Sequence, residues 1–296
     1  REICDIMDEI QPYMIENAEV TIEANPCCTD ESSLRSLKAH NVNRISFGLQ
    51  SGNDNELKAL GRRHNSKVGA DAINMAYKAG FENISGDIML GVPLQTKISL
   101  IETIGYMTSL PLSHISAYLL KIEPGTPYAK KQLTLPDDDG YADIYLETVS
   151  RLADKGYKQY EISNFSKPGM ISRHNLKYWR CEEYLGIGPA AHSYFNGERF
   201  AVGRDLRAFI QSEVQPAVIT ERECGDYEEW AMLKLRLSEG LDFKTAEERF
   251  GVSKEDILKK CRLIPDNLYR ANDKAIHLTP EGFLVSNAVI GILTDI

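Results

Sequence analysis

The chain has 296 residues, 43% of them hydrophobic and 26% charged, with a net charge of −9, a composition of the soluble globular range. The acid excess argues against nucleic acid as the main partner, because phosphate contacts need basic stripes. No run approaches the ~18–20 apolar residues of a membrane span. Six cysteines, at positions 4, 27, 28, 181, 224 and 261, show no CxxC spacing. They build no disulfide framework, so a reducing, cytoplasmic location is expected.

From the start to about residue 165, β-rich runs alternate with amphipathic helical stretches. Strands are expected over 19–24, 44–49, 83–90, 114–120 and 157–163. Helices are expected over 30–40, 54–60, 66–80, 97–109 and 136–155, the last opened by Pro136 and three aspartates as helix-start chemistry favours. Strand–helix alternation with crossovers of this length means parallel strands in right-handed βαβ units. No Gly-x-Gly-x-x-Gly follows any strand, which removes support for a dinucleotide-binding sheet. Polar residues recur where strands end: Glu23, Gln50, Asp87 and Lys121. In a barrel that rim gathers the ligand-binding chemistry.

From about residue 221 the character changes. Helices are expected over 227–237, 244–250 and 254–260, a hairpin over 268–278 around Asn272-Asp273, and a closing helix over 280–293. This is a winged-helix-like plan. With 11 Lys and Arg against 15 Asp and Glu over 221–296, a structural or partner-docking role is favoured over DNA binding. Three segments follow: a barrel portion (1–165), a connecting segment (166–220) and the winged-helix-like module (221–296).

Four stretches carry chemistry. In Glu23-Ala24-Asn25-Pro26, Pro26 holds Asn25 extended and Glu23 lies on the rim. In Gly48-Leu49-Gln50-Ser51, Gly48 permits close approach and the Gln50 amide both donates and accepts. Leu60-Gly61-Arg62-Arg63-His64 supplies guanidinium groups suited to a carboxylate. Asp87 is the only charge in the apolar run Asp87 to Pro93. Two acids, an amide and a guanidinium suit a zwitterionic nucleoside such as S-adenosylmethionine.

These stretches, EANP, SFGLQS, LGRRH and DIMLGVP, resemble the radical-SAM family of the oxygen-independent coproporphyrinogen III oxidase and its HemW relatives. The resemblance continues through PGTP (124–127), LPDDD (135–139), YEISNFSKPG (160–169), HNLKYW (174–179), YLGIGPAAHS (184–193), RLSEGL (236–241) and LTPEGFLVSN (278–287). It implies a partial parallel β/α barrel of TIM-like type, with Glu23, Gln50, Arg62 and Asp87 contacting S-adenosylmethionine. Lys121 matches a further rim position with a different residue type. The resemblance also implies a [4Fe–4S] cluster held by Cys-x₃-Cys-x₂-Cys. No such spacing occurs in this chain, so no metal ligand is assigned here. The cluster ligands are expected upstream of Arg1, on some ~60–80 residues if two βα units precede it. Cys27 and Cys28 are adjacent, whereas cluster ligands are spaced.

Within the family, HNxxYW marks the haem-chaperone group, and it matches His174, Asn175, Tyr178 and Trp179. Imidazole is a good haem-iron ligand, and the two aromatic rings offer flat apolar surface to a macrocycle; His192 is a second candidate. The resemblance therefore favours a haem chaperone with haem or porphyrin as cargo and haem-accepting proteins as partners. Coproporphyrinogen III oxidation and a cluster-less partner-binding scaffold stay open as alternatives.

Overall fold

The computed structural model describes residues 2–126 and 128–295, so Pro127 of the PGTP stretch and the chain end at Arg1 lie outside the described residues. The chain divides into two compact units, Arg1–Ile171 and Ser172–Ile296. The connecting segment drawn over 166–220 falls across that division, mostly in the second unit.

The first unit runs α1 (Glu2–Ile10), β1 (Thr21–Ala24), α2 (Glu31–Ala39), β2 (Arg44–Gln50), α3 (Asp54–Ala59), α4 (Ser66–Lys78), β3 (Asn83–Leu90), α5 (Lys97–Ser109), β4 (His114–Leu119), α6 (Asp138–Asp154), β5 (Lys158–Gln159) and β6 (Asn164–Ser166). Asp30, Asn53, Asn65, Thr96 and Asp137 each cap a helix by accepting a backbone N–H of its first turn, satisfying donors the helix leaves unpaired. The six strands are ordered β1-β2-β3-β4-β6-β5, with β1 to β4 parallel. β2, β3 and β4 each join the outer edge of the strand before. Right-handed crossovers then put the helices on one face, the plan of a barrel wall. A doubly wound sheet instead reverses its order at a switch point.

The single strand expected over 157–163 is corrected. The chain forms only β5 there, turns, and returns as β6, antiparallel between β4 and β5. Glu161 explains the break: its carboxylate accepts the Ser163 N–H at 3.1 Å, a local bond that competes with a ladder bond.

Alternation along the strands sorts the two faces. Ile45, Phe47 and Leu49 of β2, Ile84, Ile88 and Leu90 of β3, and Ile115 and Ala117 of β4 are buried with Leu34, Ile73, Ala76, Leu100, Ile104 and Met107 of the helices. The opposite face is polar. Glu23, Ser46, Ser85 and His114 share one register row, and Gly48, Asp87, Ser116 and Asn164 share the next.

His114 belongs to that face. It is fully buried, with Nδ1 2.8 Å from Ser85 Oγ and Nε2 2.8 Å from Tyr160 Oη. Burial, and next the charge of Arg44, push its pKa down to about 3. A base whose folded pKa is depressed contributes full stability above its unfolded value of about 6.5. As pH falls below that value, the unfolded chain takes a proton that the folded chain refuses. Stability is therefore expected to fall by about 1.4 kcal/mol per pH unit from this group alone. Denaturant midpoints measured between neutral pH and pH 4 should show a shallower decline for His114→Gln than for the parent. Equal slopes would rule His114 out as the source.

The second unit runs α7 (Arg173–Trp179), β7 (His192–Phe195), β8 (Glu198–Val202), α8 (Leu206–Gln211), β9 (Ala217–Glu221), α9 (Tyr227–Lys234), β10 (Leu241–Asp242), α10 (Phe243–Phe250), α11 (Lys254–Cys261), β11 (Tyr269–Ala271), β12 (Ala275–Leu278), α12 (Pro280–Leu284) and α13 (Ser286–Thr294). The antiparallel sheet β10-β12-β11 and its helices give the expected winged-helix-like module, around buried Trp230, Phe243, Ile257, Ile276 and Leu293. The closing helix is two helices, broken where Val285 leaves helical geometry at φ −111° and ψ 23°. A second antiparallel sheet, β7-β8-β9, lies where no strands were expected.

Candidate functional site

Strand β2 ends in a tight turn. Ser51 N donates to Leu49 O at 2.9 Å across Gln50, which has φ +70°. This is a γ-turn with its central residue in the strained positive-φ form. The LGRRH stretch staples it. Arg62 Nη2 donates to Gly48 O at 2.9 Å, and His64 Nε2 lies 3.0 Å from Leu49 O. A carbonyl only accepts, so His64 carries its proton on Nε2, and burial first of all lowers its pKa. The LGRRH turn is itself held by Asp54, which accepts Ser66 N–H at 2.8 Å, and by Tyr106, whose hydroxyl donates to Ser66 O at 2.7 Å.

Gly48 is the floor of the resulting cradle. A Cβ there would lie 2.9 Å from Gln50 Nε2 and 3.1 Å from Arg62 Nη2. The amide oxygen of Gln50 is buried with no hydrogen-bond partner among the described residues. Asp87 pairs in register with Gly48 on the neighbouring strand and accepts from Ser46 Oγ at 3.2 Å. Burial pushes the Asp87 carboxyl above its ordinary value. Hydrogen bonds from Ser116 and Ser46 oppose this, the charge of Glu23 adds to it, and Arg44 opposes it. Glu23 stands one row away, opposite Ser46.

The structure thus brings Gln50, Arg62 and Asp87 together around Gly48, with Glu23 beside them. Lys121 is set apart. It lies beyond the end of β4, 81% exposed, paired with Glu123 at 3.0 Å.

Two groups at this site escaped sequence reasoning. Arg44 is 4% exposed, and its Nε has no hydrogen-bond partner among the described residues. The signal was present: Arg44, Ser46 and Gly48 alternate with Ile45, Phe47 and Leu49. Glu56 is fully buried and accepts from Ser51 Oγ at 2.6 Å and Ser99 Oγ at 2.5 Å. It ties the turn after β2 to α3 and α5, and nothing in its local sequence marks it as internal.

The DIMLGVP stretch leads from β3 into a loop where Leu94 has φ +72° and is 67% exposed. A left-handed conformation costs a side-chain-bearing residue about 1–2 kcal/mol, which glycine avoids. After the extra chain entropy of glycine, Leu94→Gly is expected to raise stability by about 0.5–1 kcal/mol. Chemical denaturation would show it; a loss instead of a gain would mean that Leu94 makes contacts outweighing the strain.

In the second unit, HNLKYW forms α7, capped by Ser172, whose Oγ accepts Asn175 N–H at 3.4 Å. His174 and Tyr178, one turn apart, are both exposed, while Asn175 and Trp179 are half-buried. Tyr178 Oη is 2.7 Å from His174 Nε2. The Arg236 guanidinium stands 6.0 Å from the Trp179 ring centre. His192, the other candidate, is exposed at the start of β7.

Among the described residues no group of three or more His, Cys, Asp or Glu is placed to hold a metal ion. Cys27 and Cys28 are exposed free thiols, and all six cysteines are unpaired. No helix among the described residues is long and apolar enough to cross a membrane.

Comparison with known proteins shows the family and the fold. The Radical SAM superfamily pattern matches residues 2–107, and the HemN C-terminal domain pattern matches residues 226–285. A heme chaperone HemW of Bacillus subtilis (strain 168) is 34% identical over 305 residues, covering 98% of this chain and 80% of that protein. A second, from Lactococcus lactis subsp. lactis (strain IL1403), is 34% identical and covers 92% of this chain and 74% of that protein. The solved coproporphyrinogen III oxidase (HemN) of Escherichia coli superposes with a TM-score of 0.80 at 21% identity, over 99% of this chain and 74% of that one, a likeness of fold. At this identity and coverage the chain belongs to the HemW branch of the radical SAM superfamily.

Proposed function

We propose that this chain is a cytoplasmic haem chaperone that binds S-adenosylmethionine in its first unit, carries haem on its second, and passes the haem to acceptor proteins. The observation that carries the nucleoside reading is the cradle over Gly48, with an unpartnered buried amide oxygen on Gln50. A buried acceptor without a donor costs about 1–3 kcal/mol, so a ligand donor aimed at it is favoured.

In this reading Gln50 and Arg62 hold the polar end of S-adenosylmethionine, Arg62 favouring its carboxylate. Glu23 and Asp87 receive its hydroxyl or ammonium donors, and Lys121 guards the outer rim. When bound beside a reduced cluster, S-adenosylmethionine supplies one-electron chemistry. The described residues do not fit the cluster's ligand set, so their part is binding and orientation.

The haem reading rests on the names of the similar proteins at 34% identity and on the surface of α7, where His174, Asn175, Tyr178 and Trp179 join an imidazole to two flat rings. The oxidase alternative has behind it a fold-level likeness at 21% identity and the HemN C-terminal domain pattern.

Calorimetric titration of S-adenosylmethionine into the full-length protein tests the first half. Arg62→Ala and Gln50→Ala should each weaken binding tenfold or more, about 1.4 kcal/mol. Unchanged affinity in both variants would sink the assignment. Hemin titration followed by absorbance tests the second half.

A further inference from the structure

The α7 surface says more about how iron would be held than the presence of a histidine does. On this helix, Tyr178 Oη lies 2.7 Å from His174 Nε2, with the rings perpendicular and their centres 5.0 Å apart. Tyr184 packs edge-on against the Tyr178 ring, the ring centres 4.5 Å apart. Tyr178 is nonetheless 38% exposed. With the ring proton of His174 on Nδ1, the phenol donates into the lone pair of Nε2. The Nε2 atom, through which an imidazole would reach haem iron, is therefore already engaged by the phenol.

We propose that ferric haem is ligated here by the phenolate oxygen of Tyr178, with His174 accepting the phenol proton at Nε2, and not by His174 itself. The inference rests on the haem reading above and specifies its atom. The step needs little rearrangement. The Fe–O bond forms, the O–H bond of Tyr178 breaks, and its proton moves along the existing hydrogen bond to Nε2. The electron pair left on oxygen is the one given to iron, which stays ferric, so no oxidant or reductant is required. Ligation through His174 Nε2 would instead break the pair and leave Tyr178 without its 2.7 Å partner. Tyrosinate is an established haem ligand, and an anionic oxygen suits Fe(III) better than Fe(II).

The free protein keeps the phenol protonated. Burial, and next the neighbouring Tyr184, hold Tyr178 above its ordinary pKa. Iron and imidazole are therefore needed together. This gives selectivity for the ferric metalloporphyrin over a metal-free ring.

The test is hemin titration of the full-length protein and of Tyr178→Phe, His174→Ala and His174→Gln, with absorbance and resonance Raman on the ferric complexes. Both positions are exposed, and circular dichroism checks that each variant folds. The parent should show phenolate vibrations enhanced through a phenolate-to-iron charge-transfer band. Tyr178→Phe should abolish them and weaken binding tenfold or more. The His174 variants should retain them while binding more weakly. Dithionite reduction should loosen haem in the parent at least tenfold, whereas an imidazole ligand would keep ferrous haem. If Tyr178→Phe keeps the parent's axial signature, or His174→Ala alone removes it, Tyr178 is not the ligand. If the parent binds no hemin at all, the underlying haem reading fails, a result distinct from either.

Discussion

Replacing Glu56 with alanine is expected to destabilise the first unit by about 3 kcal/mol, enough to lower its melting temperature by roughly 10 °C. The carboxylate is fully buried and accepts from Ser51 Oγ and Ser99 Oγ. Ser51 has one proton and spends it on Glu56. Its 3.3 Å contact with Thr103 Oγ1 must therefore run the other way, with Thr103 donating, and Ser51 also accepts Asn53 N–H at 2.9 Å. Thr103 in turn accepts Gly52 N–H at 3.1 Å. Deleting the carboxylate strands the hydroxyls at the head of this chain, each at about 1–3 kcal/mol when it finds no substitute, and empties buried volume. Glu56→Gln preserves the volume and one acceptor, so it should cost clearly less. Because Ser51 follows Gln50 directly, both variants should also weaken S-adenosylmethionine binding under the function proposed above. An alanine variant within 1 kcal/mol of the parent in chemical denaturation would show that the network is dispensable.

A comparable loss, about 3–4 kcal/mol, is expected for Gly91→Ala. Gly91 has φ +70°, and a Cβ on it would stand 2.0 Å from Cε1 of Tyr141. Two penalties coincide: a left-handed backbone that alanine resists, and overlap with a ring fixed on α6. The ring has little room to retreat, since Tyr141 Oη also reaches the Gly91 carbonyl at 3.4 Å. The same glycine is anchored on its other side, its N–H donating to Gln95 Oε1 at 2.7 Å. Thermal unfolding would register the loss, and a Tyr141→Ala background should recover much of the steric part. If Gly91→Ala costs the same with and without Tyr141, the backbone alone is responsible.

Much of this architecture was legible before any coordinates, and the reasons differ from element to element. The parallel strands β1 to β4 are short apolar runs bounded by capping residues, so period and punctuation both mark them. The stretch over 157–163 deceived because its composition suits a strand, while the turn is imposed by a buried glutamate whose bond to Ser163 no periodicity reports. The sheet β7-β8-β9 was missed because its strands are short, and β8 is half-buried along most of its length, without a clear in-and-out alternation. β9 is exposed along its whole length, so the apolar alternation that announces a half-buried strand is absent.

At the site, Gln50, Arg62 and Asp87 were recognisable from their motifs. Their convergence on Gly48 required the register between β2 and β3 and the staple from the LGRRH turn. Lys121 was placed on the rim by its strand-end position and by the family resemblance; its side chain pairs with Glu123 at 3.0 Å. Arg44 and Glu56 are charges that were missed. Arg44 could have been found from its alternation with Ile45 and Phe47, whereas Glu56 is enclosed only by tertiary packing.

The polar row on the inner face of the sheet also bears on how the chain finds its fold. A slip of β2 by one residue against its neighbours would turn Arg44 and Ser46 into the helix layer and carry Ile45 and Phe47 out of it, because strand side chains alternate with period two. A slip by two residues would restore the faces but break the pairing of Asp87 with Gly48 and of Glu23 with Ser46. The residues of this polar rim therefore also act as a register key, penalising misaligned pairings of a sheet whose apolar residues, mostly Ile and Leu, would tolerate them.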